Sequence, residues 1–289
     1  MAEEQKIINL QESLKKFVDH LRELKRSENT VLAYETDLKQ LVELLEKRGV
    51  NHPTAVNLEE LNQIKDHYFK QGYTNKSVSR KLNSYRAFFT FLVDQKIIDK
   101  DPSAGIEYPK TELGAPRILS KMEYRALRDA CRTDPRISAI VEILLQTGIR
   151  ISELANLRLA DIKEDSLSIR PQYSQPGRTV PLNKVAQQAL ERYLAKRPKG
   201  KVDNVFITSR GKAFLIRNIR ESIKRFSEAA GVKDASVNDL RHTFIAHHLE
   251  AGTPLPTVAK LVGHKRVSTT ERYLQYVQPA KEPERLEEL

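Results

Sequence analysis

The sequence predicts a mainly α-helical protein with a small β-sheet, an α+β fold in two domains. Apolar residues recur at helical spacing through most of the 289 residues, while two short segments near 166–182 look like strands. A stretch rich in proline and glycine, without periodicity, separates the first 108 residues from the rest. A chain of this length can form two hydrophobic cores.

The first domain, residues 1–108, is predicted to be a helical bundle. Its apolar stripes recur every three or four residues, and Gly49 and Gly72 follow the second and third stripes as stop signals. The expected helices span about 10–24, 31–45, 57–70 and 75–95. Short connections between them favour a compact four-helix unit.

Residues 109–116 are predicted to be a linker, and residues 117–289 the second domain. Prolines at both ends of the linker and a glycine inside it disfavour a helix. In the second domain, Gly148 and Gly263 are expected to end helices. The expected helices there span about 120–132, 137–146, 150–159, 185–195, 214–230, 238–251, 255–262 and 268–276, and the expected strands 166–170, 178–182 and 205–208.

Charge is distributed unevenly between the two domains. The net charge is +11: residues 1–108 carry 17 basic and 17 acidic residues, while residues 109–289 carry 32 and 21. Such a basic half indicates a polyanionic partner, although a surplus that only aids solubility gives the same count. The predicted fourth helix adds a basic set that could face phosphates, namely Lys76, Arg80, Lys81 and Arg86.

Composition excludes several other classes of protein. The single cysteine, Cys131, cannot form a disulfide within the chain. No apolar run approaches the roughly 20 residues that span a bilayer, and the N-terminus lacks the pattern of a secretory signal. The expectation is a cytoplasmic protein that does not bind a membrane.

Two arginines of the second domain follow helix signals and could bind an anion. Arg150 comes two residues after Gly148, with Glu153 one turn further on to orient it. Arg241 lies in the first turn of a helix whose start, Ser236 to Asp239, resembles a capping box. A guanidinium fork suits phosphate oxygens, but each arginine could instead make an ordinary structural ion pair.

A histidine and a tyrosine follow in the next two segments. His264 comes directly after the expected helix stop at Gly263, where a turn can expose its ring. Ser268 and Glu271 resemble a second capping box, which would place Tyr273 on a short helix. A buried core tyrosine is the ordinary alternative for Tyr273, and Tyr276 is a second candidate with a less suitable spacing.

A histidine-rich metal site is the alternative chemistry for this region. The candidate ligands are His242, His247, His248 and His264. No HExxH spacing is present, and no cysteine set completes a zinc site, so neither a metal nor another cofactor is expected.

Taken together, four segments resemble the signature boxes of the tyrosine recombinases, the phage-integrase and Xer group. They occur in order as residues 147–154 (TGIRISEL), 239–244 (DLRHTF), 261–264 (LVGH) and 268–273 (STTERY). The resemblance covers almost the whole chain. It implies a core-binding, SAM-like DNA-binding domain at 1–108 and a catalytic domain at 117–289, with a C-terminal tail at 277–289 like the segment that relatives dock into a neighbouring protomer.

The resemblance also implies roles for these residues. Tyr273 would attack a scissile phosphate, giving a 3′-phosphotyrosine and a free 5′-hydroxyl without ATP. Arg150 and Arg241 would stabilise the transition-state charge, and His264 would donate a further hydrogen bond to the phosphate. The implied partners are double-stranded DNA carrying a recombination site, three further copies of the chain around a Holliday junction, and in some systems an accessory protein. Such a protein would associate with the nucleoid.

Two positions depart from the family pattern. The turn between the expected strands, residues 170–178 (RPQYSQPGR), lacks the lysine that usually protonates the leaving oxygen. Tyr173, Lys201 or water could replace it, while Arg170 and Arg178 at its ends are candidate DNA contacts. Asn238 occupies the usual place of a histidine three residues before Arg241, and an amide cannot shuttle a proton near neutral pH.

These departures leave alternatives to site-specific recombination open. One is a DNA-binding relative with weakened cleavage, and another is a type IB topoisomerase-like enzyme that uses phosphotyrosine without synapsis. Only about 108 residues precede the predicted linker, so no arm-type DNA-binding domain is expected. That organisation favours an Xer-like or transposon-resolving role over a lambda-like integrase.

Overall fold

The computed structural model describes residues 8–111, 114–172 and 175–277. The chain divides into two compact units, residues 1–113 and 114–289. Each unit has a hydrophobic core of its own. The tail expected to reach a neighbouring protomer lies outside the described residues from position 278 onward.

In its described part, the first unit contains four α-helices, as predicted. They are α1 (Leu10–Glu23), α2 (Glu28–Glu46), α3 (Leu58–Lys70) and α4 (Asn75–Asp94), with a short 3₁₀ turn at Pro53–Ala55 between α2 and α3. The side chain before each α-helix caps its first turn, and those four residues are Asn9, Ser27, Asn57 and Thr74. The apolar stripes meet around buried aromatic rings of α1 and α4, including Phe17 and Phe88.

The second unit is mostly helical and packs around α6. Its helices are α5 (Lys121–Ala130), α6 (Pro135–Thr147), α7 (Ile151–Ala155), α8 (Lys184–Lys196), α9 (Ile216–Ala229), α10 (Val237–Glu250), α11 (Leu255–Val262) and α12 (Ser268–Glu271). Short 3₁₀ turns lie at Leu159–Asp161 and Leu274–Tyr276. Helix α6 is buried along most of its length, which its nearly continuous apolar sequence explains. None of the described helices is long and apolar enough to cross a membrane.

The sheet of the described residues has two antiparallel strands, β1 (Ser166–Ile169) and β2 (Arg178–Pro181). Ser166 pairs with Pro181 and Ile169 with Arg178. The prediction of a third strand at 205–208 was wrong, because this segment forms a single isolated bridge, between Ile207 and Ala213. Its backbone groups are satisfied instead by a loop, where Val205 N–H donates to the carbonyl of Leu157 at 2.8 Å.

Two glycines end helices at the positions predicted from the sequence. Helix α6 stops at Gly148, with φ of 59°, and α11 stops at Gly263, with φ of 69°. Both values lie in the left-handed region, which glycine adopts without steric cost. The two turns expose carbonyl groups at the ends of α6 and α11.

The last predicted helix, 268–276, is broken in the structure. Helix α12 ends at Glu271, and Tyr273 precedes the 3₁₀ turn that follows. The capping box expected at Ser268 does not form, because the preceding residue, Val267, is already in the helical conformation. Tyr273 packs beside Phe244 and Val262 in a small cluster formed with α10 and α11.

Candidate active site

Arg150 projects from the turn between α6 and α7, and Glu153 holds it there. The Arg150 guanidinium donates to the Glu153 carboxylate at 3.0 Å and to the Gly263 carbonyl at 2.6 Å. The backbone N–H of Arg150 donates to the other carboxylate oxygen at 2.8 Å. The expectation that Glu153 orients Arg150 is confirmed, and the side chain remains partly exposed.

Arg178 joins the same carboxylate from strand β2. It forms a bidentate pair with Glu153, both N–O distances being 2.8 Å, and its Nε donates to the Leu261 carbonyl at 2.7 Å. Its side chain is only 8% exposed. Three of its five N–H donors are thus paired inside the protein, so the expected contact between Arg178 and DNA stays a prediction that falls to the remaining two donors.

Arg241 is buried at the junction of three helices. Its guanidinium donates to the Gly148 carbonyl and, at 2.8 Å, to the Val262 carbonyl. The carbonyl groups at the ends of α6 and α11 have no partner within their own helices, and they bind the positively charged guanidinium of Arg241 instead. Burial, and next the charge of Arg150, lowers the pKa of Arg241 to about 10, so it stays protonated near neutral pH.

His264 lies just beyond Gly263 and is bound by a buried threonine. Its Nδ1 is 2.8 Å from the Thr270 hydroxyl. Burial, reinforced by the charges of Arg241 and Arg150, lowers the pKa of His264 to about 4. The ring is therefore neutral near pH 7, and when Thr270 donates to Nδ1 the other ring nitrogen carries a proton that it can donate.

Tyr273 is a largely buried tyrosine, only 8% exposed. Its hydroxyl is 2.6 Å from Nδ1 of His242. Burial raises the pKa of Tyr273, while the charges of Arg241 and Arg272 act in the opposite direction. The phenol is therefore protonated near neutral pH.

The four residues singled out from the sequence belong to one cluster. Arg150 and Arg241 donate to the carbonyls of Gly263 and Val262, the two residues before His264, and the Tyr273 hydroxyl contacts His242, the residue after Arg241. Gly263 makes this close approach possible, since an added Cβ there would lie 3.1 Å from Nη1 of Arg150. A cluster with two guanidinium groups, a neutral imidazole and a phenol can bind a phosphate and attack it.

Asn238, expected in place of a family histidine, is exposed in the first turn of α10. It lines a surface cleft together with Ile151 and Arg220. The phenol of Tyr273 instead contacts His242, one turn further along the same helix. His242 was not predicted to be catalytic, although its spacing of four residues from Asn238 puts both side chains on one helical face.

A cleft of about 700 Å³ opens beside His264. The turn between the strands lines one side of it, and Lys260 and Lys265 line the other. These two lysines lie on either side of the motif that contains His264 and were not predicted to be site residues. Of the candidates for the absent hairpin lysine, Tyr173 lies outside the described residues, and Lys201 is exposed.

The basic residues expected on helix α4 differ in accessibility. Lys76 and Arg86 are exposed, and Arg86 stacks on the ring of Tyr108 at 5.1 Å. Arg80 is 54% exposed although it pairs with the buried carboxylate of Asp37. These three side chains could reach a phosphate.

Lys81 does not fit the expected role. Its side chain is 3% exposed, and its ammonium group lies 3.2 Å from the Asp37 carboxylate. The same ammonium group lies 4.9 Å from the centre of the Tyr68 ring. The expectation that Lys81 contacts DNA is corrected, because the side chain neutralises a buried carboxylate in the core.

Arg170, the other candidate on the hairpin, pairs with Asp161 at 2.7 Å and keeps 46% of its side chain exposed.

The described residues also bear on the possibility of a metal site. Across residues 8–111, 114–172 and 175–277, no group of three or more histidine, cysteine or acidic side chains is arranged to hold a metal ion.

Known families and proteins are similar to this chain over most of its length. Residues 117–278 match the Phage integrase family, and residues 14–96 match the Phage integrase, N-terminal SAM-like domain. The chain is similar to tyrosine recombinase XerC of Anoxybacillus flavithermus, with 31% identity covering 92% of this chain and 93% of the relative. It is also 31% identical to tyrosine recombinase XerD of Listeria monocytogenes, covering 86% and 88% of the two chains.

Solved structures give the same fold. The XerA recombinase is 25% identical with a TM-score of 0.52, covering 92% of this chain and 98% of that one. A lambda integrase tetramer bound to a Holliday junction has a TM-score of 0.77 at 16% identity, covering 98% and 81%. The Tn1549 transposon integrase in complex with circular intermediate DNA has a TM-score of 0.73 at 18% identity, covering 92% and 95%.

Proposed function

The chain belongs to the phage integrase family and is a tyrosine site-specific recombinase, and we propose that it cuts and rejoins DNA through a 3′-phosphotyrosine on Tyr273 and a Holliday junction. The observation that carries this proposal is geometric: Arg150 and Arg241 donate to the carbonyls of Gly263 and Val262 directly before His264, and the Tyr273 hydroxyl contacts the histidine that follows Arg241. Each of these groups has a distinct task in phosphoryl transfer.

The two arginines bind the scissile phosphate. Arg150 and Arg241 direct their charges to the same region, where the nonbridging oxygens gain negative charge in the transition state. Neutral His264 donates a hydrogen bond to one of these oxygens. The carbonyl contacts of Arg241 and the carboxylate contact of Arg150 support this role, because they hold both forks in place before DNA binds.

Tyr273 is the nucleophile in this proposal. Its oxygen attacks phosphorus, and the 5′-oxygen of the next nucleotide leaves and takes a proton from an acid. Lys201, Tyr173 and water remain candidates for that acid. The low exposure of Tyr273 implies that the phenol moves outward, or that DNA settles toward it, before attack.

Double-stranded DNA is the proposed partner, held by the basic second unit and by the exposed residues of α4. Lys76, Arg80, Arg86 and Arg170 would contact phosphates, which carry affinity but no sequence information. Four protomers would assemble on two sites in the nucleoid, with an accessory protein where the order of strand exchange is controlled. Similarity to XerC and XerD proteins supports an Xer-like or transposon-resolving role.

The test is covalent trapping. Footprinting first maps the bound sequence, and a duplex of that sequence, nicked near the cleavage point, then serves as a suicide substrate. Wild-type protein is expected to form a covalent adduct, Tyr273→Phe none, and the control Tyr276→Phe an amount like the wild type. Failure of the wild type to form an adduct, or an unchanged adduct with Tyr273→Phe, contradicts the proposal and leaves a DNA-binding relative without cleavage. Relaxation of supercoiled DNA without recombination would support a topoisomerase-like activity instead.

A further inference from the structure

His242 makes a close contact with the proposed nucleophile. Its Nδ1 lies 2.6 Å from the Tyr273 hydroxyl, a normal distance for a hydrogen bond that involves a hydroxyl group. The two residues are 31 positions apart in the chain, so tertiary packing brings them together. Helix α10 thus contributes both the guanidinium of Arg241 and the ring that contacts the phenol.

The surroundings of His242 keep its ring neutral. Burial lowers the pKa of His242; the charge of Arg241 adds to this, and that of Asp239 opposes it. His264 and Tyr273 are the other titratable groups that face it. A neutral imidazole protonated on Nε2 has a free lone pair on Nδ1, which can accept the phenolic proton.

The family position for a proton-transferring histidine is occupied by Asn238, which cannot fill that role. The amide cannot take up a proton near neutral pH, and the side chain is exposed. His242 lies four residues later, on the same face of α10 and one turn closer to the C-terminus. An imidazole is therefore present on this face, displaced by one turn.

We propose that His242 is the proton acceptor for Tyr273 in the cleavage step. This inference rests on the proposed function. As the phenolic oxygen bonds to phosphorus, its proton passes to Nδ1 of His242, the bond from phosphorus to the 5′-oxygen breaks, and the leaving-group acid protonates that oxygen. On rejoining, the 5′-hydroxyl returns its proton to that same group as its oxygen attacks phosphorus, and His242 returns its proton to the departing phenolate.

The experiment compares His242→Gln with wild type in single-turnover trapping. A glutamine carbonyl can accept a hydrogen bond from the phenol but cannot take its proton, so it separates proton transfer from positioning. The expected fall in the rate of adduct formation is about 10²- to 10⁴-fold. The matched control is His248→Gln, because His248 also lies on α10, half-buried and next to a hydroxyl group, 3.3 Å from Thr253.

Three further measurements exclude a merely structural defect. On a substrate with sulfur replacing the bridging 5′-oxygen, the leaving group needs no proton, and the His242→Gln defect is expected to persist because it concerns the nucleophile. As pH rises from 7 to 9.5, the rate of His242→Gln is expected to rise about tenfold per unit with the phenolate population, while the wild type levels off. Adding Asn238→His to His242→Gln is expected to restore part of the rate.

The outcomes are distinct. If wild type forms the adduct and Tyr273→Phe does not, but His242→Gln reacts within about threefold of wild type, the role of His242 is overturned and the proposed function stands. A loss of rate in His242→Gln that keeps the same size from pH 7 to 9.5 likewise overturns the role of His242. A constant loss of this kind is what poorer folding or weaker DNA binding of the variant would cause. Absence of any wild-type adduct overturns both proposals.

Discussion

At the scale of single residues, Glu153 organises the site. Its buried carboxylate accepts hydrogen bonds from the guanidinium groups of Arg150 and Arg178. Burial alone would raise the pKa of Glu153, but the hydrogen bonds from Arg178 and from the backbone of Arg150 outweigh burial, and the pKa is lowered. The contribution of Glu153 to the free energy of unfolding is therefore fully present at pH values above the ordinary pKa of a carboxylate. It is lost as the pH falls through the lowered pKa of Glu153.

Replacing Glu153 with glutamine should harm both stability and cleavage. The change leaves Arg178 buried without a counter-charge, and breaking such a pair typically costs about 3–5 kcal/mol. Arg150 loses the ion pair that orients it, so adduct formation should fall even in the folded protein. Urea unfolding and suicide-substrate trapping measure the two effects.

Glu142→Gln is the matched control for Glu153→Gln. Glu142 is also a buried acid, and it pairs with Arg128 between α5 and α6 rather than with a proposed phosphate-binding residue. Its loss should lower stability while the folded protein keeps its cleavage rate. Equal effects of the two changes on cleavage would contradict a specific role for Glu153.

At the scale of elements, the site is assembled from helix ends. The stops of α6 and α11 present carbonyl groups to Arg241, and α10 presents Arg241 and His242. The stop at Gly148 serves a second purpose, because an added Cβ there would overlap the ring of Phe244. The absence of a side chain at Gly148 therefore permits α10 to pack against the end of α6.

Gly148→Ala should destabilise the second unit by about 2–4 kcal/mol, combining left-handed backbone strain with overpacking against Phe244. The control is Gly252→Ala, where φ is 79° but an added Cβ meets nothing within 4 Å. That change carries the backbone strain alone, about 1–2 kcal/mol. Equal losses in urea unfolding would show that the contact with Phe244 is not important.

At the scale of the whole molecule, two units with separate cores share the charge unequally. Residues 114–289 carry 31 basic and 20 acidic residues, whereas residues 1–113 carry 18 of each. The first unit nevertheless exposes Lys76 and Arg86 on one helix. Overall charge therefore places most of the nonspecific DNA affinity in the second unit, with a local contribution from the first.

Separate polypeptides of residues 1–113 and 114–289 should each unfold cooperatively, because each has its own core. The second should bind duplex DNA with a smaller dependence on salt than the full chain, since it makes fewer phosphate contacts. Denaturation curves and binding titrations across salt concentrations check both points. A salt slope equal to that of the full chain would exclude phosphate contacts by the first unit.

Much of this arrangement could be predicted from local patterns. Apolar spacing and the two glycine stops predicted most helices and placed Arg150 and His264 beside helix ends. The burial of Lys81 and Arg178 could not be predicted, since each depends on an acidic partner distant in sequence, Asp37 or Glu153. The break before Tyr273 was also missed, and so was the start of α12, where Val267 already adopts helical geometry ahead of the expected cap.

The sequence alone determined the helical character, the order of the motifs and the residue types available for phosphate chemistry, because these depend on local spacing and side-chain composition. Tertiary structure decided which partners those residues have. It committed Arg178 to Glu153, bound Arg241 to two helix ends and placed His242 rather than Asn238 against Tyr273. Such pairings join segments far apart in the chain, so they form only when β2 and α7, the ends of α6 and α11, and α10 with the segment of Tyr273 pack together.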